Sequence, residues 1–286
     1  MQTDSHFTIG HAHLTGGKPC QDYAAAGNLP NGAAYAIAAD GCSTGGMNDV
    51  GARVLTLSTA QAIREHWSTT RSTADPEAAA RIAIKQQVVM AAAEGVLGCG
   101  TSDMLATCLY AYLSPKGGFA HVQGDGVVAW QYSDGHIMMV RFDWMDNKPL
   151  YPAYAGDHFV AFIAAHGGDV NAARLTRDTW ELAPGKDFFQ FALEEYSLGQ
   201  GISGIGLPFD PADQPRFIAV FTDGVTQIEG LDWKDAVAQL LSFKTTAGEF
   251  AKRRLIRMVK DAQQDGRGPL DDLAYAVIHT DGEVAT

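Results

Sequence analysis

Basic residues, cysteine pairs and long apolar runs are all scarce in this sequence. Its 21 lysines and arginines are outnumbered by 33 aspartates and glutamates, which gives a formal net charge of -12 and a pI near 5.1. Without a basic stripe, neither a nucleic acid nor an anionic membrane surface is expected as the main partner. An acidic protein can still act on phosphate groups when bound cations reverse the local charge.

The cysteines are few and scattered. Cys20, Cys42, Cys99 and Cys108 form no C-x-x-C pair, so neither a zinc ribbon nor a thioredoxin-like motif is predicted. The first residues, MQTDSHFTIG, lack the basic segment and apolar core of a signal peptide. No apolar run reaches the length of a membrane span. These absences predict a cytoplasmic protein with reduced thiols.

What the sequence does contain is a large apolar fraction in alternating and helical patterns. Of the 286 residues, 46% are hydrophobic, enough for a sizeable core in one domain that spans 1–286. Strand-like segments are followed by helical patterns over about 49–67 and 72–98, and then by strands over about 104–144. Another strand, two helices and a last strand over 273–280 complete the pattern. This order predicts an α+β protein with antiparallel sheets and helices packed against them.

Three apolar strands end in the dipeptide Asp-Gly. The three pairs are Asp40-Gly41 in AIAADG, Asp125-Gly126 in AHVQGDG and Asp223-Gly224 in FIAVFTDG. One such dipeptide is ordinarily a turn, because Asp bonds its own backbone and Gly accepts positive φ. Three of them bring carboxylates to strand ends, where they can converge. Spacing alone fits a shared site and scattered turn caps equally well.

Asp22, ahead of one strand, and Asp271 and Asp272, ahead of the last, extend this acidic set. Unpaired carboxylates about 4 Å apart repel by roughly 4 kcal/mol at an effective dielectric constant of 20, so a cluster needs cations or protons. Oxygen ligands without histidine or cysteine pairs favour Mg²⁺ or Mn²⁺ over Zn²⁺. Two such ions about 3.5–4 Å apart would turn a bridging water into a nucleophile at neutral pH.

The ordered blocks of the sequence resemble those of the metal-dependent serine/threonine phosphatases of type 2C, the PPM family. GKPCQDY resembles the first acidic block, AIAADGCSTGG the ADG-x-GG block, and AHVQGDGVVAWQYSDG the A-x-VGDSR-x-Y block. GTSDMLATCLYAYL, FIAVFTDGVTQ and DDLAYAVI resemble GTT followed by a strand, LLL-x-SDGL-x-D and DNITVIVV. The blocks keep the family's order over about residues 10–280. The resemblance implies a sandwich of two antiparallel β-sheets flanked by α-helices.

Carried over position by position, the resemblance implies a metal centre. Asp40 would bridge two ions, Gly41 would offer its carbonyl to one of them, and Asp223 and Asp271 would hold the other. The implied cofactor is Mn²⁺ or Mg²⁺, as two ions with room for a third. A water between the two ions would attack phosphorus without a covalent intermediate.

The remaining acidic residues have lesser roles in the same comparison. Asp22 would act on the metals directly or through water. Asp125 matches the aspartate that contacts a third, weaker ion. Asp272 stands where the family has asparagine and is treated as secondary.

The chain departs from the family where the family holds phosphate. The family's arginine falls on Gly17, and Lys18 is the cation nearest the first acidic block. Pro19 favours an extended backbone at Lys18, so we expect Lys18 to join Asp40 and Asp223 in the catalytic set; a solvated loop lysine is the alternative. A lysine lacks the bidentate fork of an arginine. GDGVV also stands in place of GDSR, and no histidine follows the ADG block.

Two regions lie outside the matched blocks. Residues 147–206 match none of them and are expected to hold the family's variable flap. His11 and His13 alternate on a predicted strand and are interpreted as surface or capping residues. Cys42 is interpreted as a small packed residue beside the metal site.

The sequence therefore predicts a phosphoprotein phosphatase that acts on phosphoserine or phosphothreonine in signalling. Its expected partner is a Ser/Thr kinase or the target of such a kinase. Two other functions stay open. One is a phosphatase-like domain with weak or no activity that binds a phosphoprotein, and the other is a hydrolase of small phosphoesters.

Overall fold

Four layers of secondary structure make up the fold. The computed structural model describes residues 1–67, 76–200 and 205–280. Two antiparallel sheets pack face to face, and helices cover the outer face of each, so the predicted α+β sandwich is confirmed. The strands in the described residues are β1 (Gln2–Thr8), β2 (Tyr23–Asn28), β3 (Ala34–Ala39), β4 (Cys108–Ser114), β5 (Gly117–Gln123), β6 (Gly126–Gln131), β7 (Ile137–Trp144), β8 (Arg174–Leu182), β9 (Phe189–Ser197), β10 (Ile205–Phe209), β11 (Phe217–Phe221) and β12 (Leu273–His279). The α-helices there are α1 (His11–Gly16), α2 (Asn48–Trp67), α3 (Pro76–Leu97), α4 (Phe159–Ala165), α5 (Trp233–Leu240) and α6 (Phe250–Gln264).

The strand order places the ends of distant segments side by side. The larger sheet has the order β1-β12-β11-β6-β7-β8-β9, and the smaller has the order β10-β5-β4-β3-β2. β3, β11 and β12 are buried along their whole length, as their continuous apolar runs predict. β11 lies between β12 and β6, so segments far apart in sequence end next to one another.

Three apolar layers hold these elements together. Ala36 of the smaller sheet and Val128 of the larger sheet belong to the apolar layer between the sheets, which contains many alanines. Ile37 and Leu55 belong to the layer that packs the smaller sheet against α2 and α3. Phe221 belongs to the layer that packs the larger sheet against α5 and α6. The close approach of the sheets brings their strand ends into one region.

The first predicted strand is too long. The alternation in HFTIGHAHL predicts a strand through Leu14, but β1 ends at Thr8 and α1 follows over His11–Gly16. The first N–H groups of α1 donate to the carbonyls of Pro269 and Leu270, each at 3.0 Å. These tertiary bonds replace the strand pairing that alternation alone would favour, so the prediction is wrong here.

Residues between β7 and β10, which match no family block, form both helix and strand. FVAFIAAHGG contains α4, and KDFFQFALEEYSLG contains β9, which pairs with β8 to extend the larger sheet. β9 is exposed along most of its length, including the alternating Phe189, Phe191 and Leu193. Its role as the family's flap stays a prediction. The start of the helical pattern predicted over about 72–98 lies outside the described residues.

The helices of the described residues are not membrane spans. None of them combines the length and the apolar character needed to cross a bilayer.

Candidate metal centre

Two aspartates lie side by side at the end of the smaller sheet. β2 and β3 pair with Tyr23 opposite Ala39, so the adjacent residues, Asp22 and Asp40, face each other one step further on. β4 fixes this end of β3. Thr107 N–H donates to the Asp40 carbonyl over 2.8 Å, and Asp40 N–H donates to Thr107 Oγ1 over 3.0 Å.

The larger sheet aligns three more aspartates. β11, β6 and β7 are neighbours, and their pairing is antiparallel and without irregularity. Continued past the paired ends, the same register places Asp223, Asp125 and Asp143 in one row across the three strands. Asp125 is buried, and the other two are partly exposed. The sequence pattern indicated the first two and missed Asp143.

Hydrogen bonds join the acidic residues of the two sheets. Thr222, at the end of β11, donates its Oγ1–H to Asp22 Oδ2 over 2.6 Å. Gln227 Nε2 donates to Asp223 Oδ2 over 2.9 Å and lies 3.4 Å from Asp271 Oδ2. The structure thus links Asp223 with Asp271 through Gln227 and ties Asp22 to the residue that follows β11.

Burial and repulsion between neighbouring aspartates disfavour the ionised forms of these carboxylates. Burial raises the pKa of Asp22, Asp40 and Asp125 well above the usual range. For Asp40, repulsion from Asp22 and Asp223 adds to the effect of burial. Burial, followed by repulsion from Asp271, raises the pKa of Asp223 to about 6. A bound cation would favour the ionised form of each of these carboxylates.

The donor atoms fit a hard divalent cation. Asp22 Oδ1 is buried and accepts no hydrogen bond from any described residue. An unpaired buried carboxylate oxygen is costly, and a cation removes that cost. The clustered side chains offer carboxylate oxygens, which are ligands suited to Mg²⁺ or Mn²⁺.

Two of the Asp-Gly glycines are required by close packing. A Cβ on Gly224 would lie 1.8 Å from the Asp272 carbonyl oxygen. Gly126 has φ +132°, and a Cβ there would lie 2.5 Å from the Phe221 carbonyl oxygen. Glycine therefore lets neighbouring backbones meet at these strand ends, which is a stronger requirement than an ordinary turn.

Asp272 is a buried hydrogen-bond centre that links two acidic segments. Its Oδ1 accepts Gly10 N–H over 2.7 Å, and its Oδ2 accepts Gln21 N–H over 2.6 Å. His13 Nδ1 lies 2.8 Å from Oδ2. His13 is 7% exposed, so its interpretation as a surface residue is wrong, whereas His11 is exposed. These bonds tie the segment before β2 to the segment before β12.

Gly41 belongs to the loop that follows β3, and Lys18 contacts the same loop. Gly41 is buried, and its N–H donates to the Gln21 carbonyl over 3.2 Å. Lys18 is exposed, and its Nζ donates to the Ser43 carbonyl over 3.1 Å. Lys18 thus reaches the loop after Asp40, and its contact with phosphate stays a prediction.

Arg141 is a cation that the sequence reasoning missed. It lies on β7 and forms an ion pair with Asp143. Its charge counteracts the effects that raise the pKa of Asp223. Strand-end signals could not reveal it, because β7 continues beyond it to Trp144.

A cavity of about 420 Å³ is lined in part by Tyr151. Its walls come from α3 and from residues 150–159. Tyr151 lines the cavity, and burial raises the pKa of its phenol, with contributions from Cys42, Asp40 and Asp125. The phenol of Tyr151 therefore stays protonated at neutral pH.

A helix-covered sandwich with converging carboxylates at its strand ends is the architecture implied by the type 2C resemblance. Comparison with known proteins agrees: the protein phosphatase 2C family model matches residues 9–146. The chain therefore carries this family's sequence pattern over those residues, and the predicted resemblance is confirmed. No curated protein matches the chain at a significant level.

Solved structures share the fold over almost the whole chain. A bacterial serine phosphatase is 11% identical, with 99% of each chain covered and a TM-score of 0.55. Serine/threonine phosphatase Stp1 from Staphylococcus aureus is 10% identical, with 99% of this chain and 96% of that chain covered and a TM-score of 0.53. The S. agalactiae serine/threonine phosphatase is 15% identical, with 98% and 99% covered and a TM-score of 0.51. These similarities establish the fold.

Proposed function

We propose that the protein is a metal-dependent phosphoprotein phosphatase that hydrolyses phosphoserine and phosphothreonine. The observation that carries this proposal is the set of aspartates at neighbouring strand ends, among which Asp22 Oδ1 is buried and left without a hydrogen-bond donor among the described residues. The family match over residues 9–146 supports phosphatase chemistry.

The proposed ligands follow from position. Asp40 with the Gly41 carbonyl, together with Asp223 and Asp271, would hold two Mn²⁺ or Mg²⁺ ions; Asp22 would support them, and Asp125 would contact a third. When bound, such ions lower the pKa of a water molecule and neutralise phosphoryl oxygens. The catalytic roles of Asp40, Asp223 and Lys18 are part of this proposal.

The surrounding residues hold this arrangement in place. Thr222 fixes the orientation of Asp22 through its 2.6 Å hydrogen bond. Gln227 offers an amide to Asp223 and Asp271, which reduces the repulsion between the two carboxylates. The protonated phenol of Tyr151 offers a hydrogen-bond donor at the border of the cavity. The cavity gives space for substrate groups beside the reacting phosphate.

The direct test is metal-dependent hydrolysis of an aryl phosphate and of a phosphothreonine peptide, each with a chelator control. We expect Mn²⁺ to activate both reactions and Asp40→Asn to abolish both while the fold is retained. Turnover of the aryl phosphate without any peptide hydrolysis would favour the small-phosphoester alternative. Peptide binding without turnover would favour the phosphatase-like binding domain.

The cellular setting is proposed on the same basis. We infer a phosphorylated Ser/Thr kinase or its target as substrate, a role in signalling, and one catalytic domain over 1–286. A cytoplasmic location agrees with the four free cysteines. Loss of phosphate from an autophosphorylated Ser/Thr kinase, followed by mass spectrometry, would test the substrate class.

A further inference from the structure

The proposed metal centre needs a group that holds the substrate phosphate. Gly17 occupies the position of the family's arginine, and Lys18 is bonded to the Ser43 carbonyl. A lysine binds phosphate as a point charge, whereas an arginine offers a planar fork of donors. A second cation near the carboxylates would therefore complete the site.

The register of the larger sheet places Arg141 next to the aspartate row. Arg141 of β7 pairs with Val127 of β6, and Val127 pairs with Phe221 of β11. Asp223, Asp125 and Asp143 form the row two residues further along the same strands. Because side chains alternate along a strand, Arg141 and Asp143 belong to the same face of β7, and Asp125 and Asp223 adjoin the ends of β6 and β11. Two residues span about 7 Å along a strand, which an extended arginine can cover.

Contacts show that the guanidinium extends toward this row. Arg141 Nη2 forms an ion pair with Asp143 Oδ2. The side chain of Arg141 is 31% exposed, so solvent and a substrate can reach it. Its positive charge also opposes the rise in the pKa of Asp125 and Asp223, which places it within electrostatic range of two proposed metal ligands.

We propose that Arg141 binds the phosphoryl group of the substrate and that Asp143 orients its guanidinium for this purpose. This inference rests on the proposed function. A guanidinium has five N–H donors in a fixed plane, so the bond to Asp143 leaves donors for two phosphoryl oxygens. The binding group thus comes from a strand of the larger sheet and not from the segment before β2. Lys18 is left as a weaker, exposed contact.

The test compares Arg141→Gln and Arg141→Lys with the control Arg177→Gln. Arg177 lies on the neighbouring strand β8, is 28% exposed and pairs with Glu194 at 3.5 Å. Because Arg141 pairs with Asp178, Arg177 belongs to the opposite face of the sheet. The control therefore removes a comparable charge and ion pair away from the aspartate row.

We expect Arg141→Gln to raise KM for the aryl phosphate by about 10- to 100-fold, the range for a lost charge-assisted hydrogen bond. The fall in kcat should be smaller, Arg141→Lys should restore part of the loss, and Arg177→Gln should match wild type. Mn²⁺ affinity, measured by calorimetry, should change little in all three variants. A matching thermal melt with Mn²⁺ confirms that each variant is folded.

Binding of inorganic phosphate to the Mn²⁺-loaded protein gives a readout that does not need turnover. Wild type should bind phosphate, and Arg141→Gln should weaken that binding as much as it raises KM. If wild type binds phosphate through Arg141 but hydrolyses neither substrate, the proposed function fails and this inference stands. The inference is overturned if Arg141→Gln behaves like Arg177→Gln, if wild type binds no phosphate, or if Mn²⁺ affinity falls as far as phosphate affinity.

Discussion

Single residues decide where negative charge lies around the acidic site. Gln227 stands where the resembled block SDGL-x-D ends in aspartate, and Asp272 stands where DNITVIVV has asparagine. In the structure the Gln227 side-chain amide donates hydrogen bonds to Asp223 and Asp271. The Asp272 carboxylate instead accepts two backbone N–H groups and contacts His13. Compared with the family blocks, this chain lacks the carboxylate at position 227 and has an additional one at position 272, where it binds backbone N–H groups.

The substitution Asp272→Asn tests this structural role. Asparagine replaces one carboxylate oxygen of Asp272 with an NH2 group, which would face a backbone N–H donor. Because that hydrogen bond is lost, we expect the free energy of unfolding to fall by about 1–3 kcal/mol. Urea denaturation measures the change. His13→Ala should destabilise in the same direction, while Mn²⁺ affinity should change less than in Asp40→Asn. Wild-type stability in both variants would contradict the role assigned to Asp272.

Lys18 gives a second prediction at the residue scale. An exposed lysine that contacts phosphate should hold it weakly, so Lys18→Ala should raise KM for a phosphothreonine peptide by a few-fold. Mn²⁺ affinity should stay constant, and Lys18→Arg should keep or improve activity because its fork binds two oxygens. Steady-state kinetics decides the question. Unchanged kcat and KM in Lys18→Ala would show that Lys18 is only a solvated loop residue.

The secondary-structure elements differ in how well the sequence predicts them. β3, β11 and β12 are buried along their length, and their continuous apolar runs are visible in the sequence. β9 has no such continuous run, because Phe189, Phe191 and Leu193 alternate with smaller or polar residues, and both of its faces are largely exposed. α1 was missed because backbone bonds to Pro269 and Leu270, distant in sequence, decide its conformation. Local patterns cannot report such tertiary bonds.

The same contrast applies to the site. Asp40, Asp125 and Asp223 were recognised because each ends an apolar strand at a glycine. Asp143 was missed because β7 continues past it to Trp144, so its place in the row depends on pairing with β6. The register between strands is a property of the assembled sheet. It determines which aspartates lie in one row, so a local sequence pattern cannot predict that row.

Gly224→Ala tests the element-level packing at the end of β11. The added Cβ would collide with the Asp272 carbonyl oxygen, so backbone must move; we expect a loss of about 1–3 kcal/mol or more, together with weaker Mn²⁺ binding. Gly95→Ala in α3 is the control, because nothing lies within 4 Å of its Cβ position. That variant should be stabilised by up to about 1 kcal/mol. Equal effects of the two variants in urea denaturation would exclude the close-approach explanation.

At the scale of the whole molecule, the acidic site sets how stability depends on pH. The net charge of -12 adds a repulsion across the whole molecule to the repulsion among the aspartates of the site. The folded-state pKa values of the buried aspartates are raised, to about 6 for Asp223, above about 3.9 in the unfolded chain. The folded protein therefore binds more protons in this window, and its metal-free stability falls as pH rises.

We predict that the metal-free protein is more stable at pH 5 than at pH 7.5 and that saturating Mn²⁺ reverses the order. Metal binding needs deprotonated ligands and adds about 2.7 kcal/mol at a hundred times Kd. Thermal melts in chelator and in Mn²⁺ at both pH values measure this. In chelator, Asp40→Asn should raise Tm at pH 7.5 by relieving repulsion. The same pH dependence with and without Mn²⁺ would count against the account.

Calorimetric titration of the metal-free protein with Mn²⁺ at pH 7.5 tests the central claim, that the converging carboxylates form a divalent metal centre. Asp40→Asn removes the proposed bridging ligand, and Asp261→Asn, an exposed residue of α6 that pairs with Arg257, is the control. The account predicts at least two ions bound per wild-type chain, unchanged binding in Asp261→Asn and a loss of at least tenfold in affinity in Asp40→Asn. Wild-type affinity and stoichiometry in Asp40→Asn would contradict it.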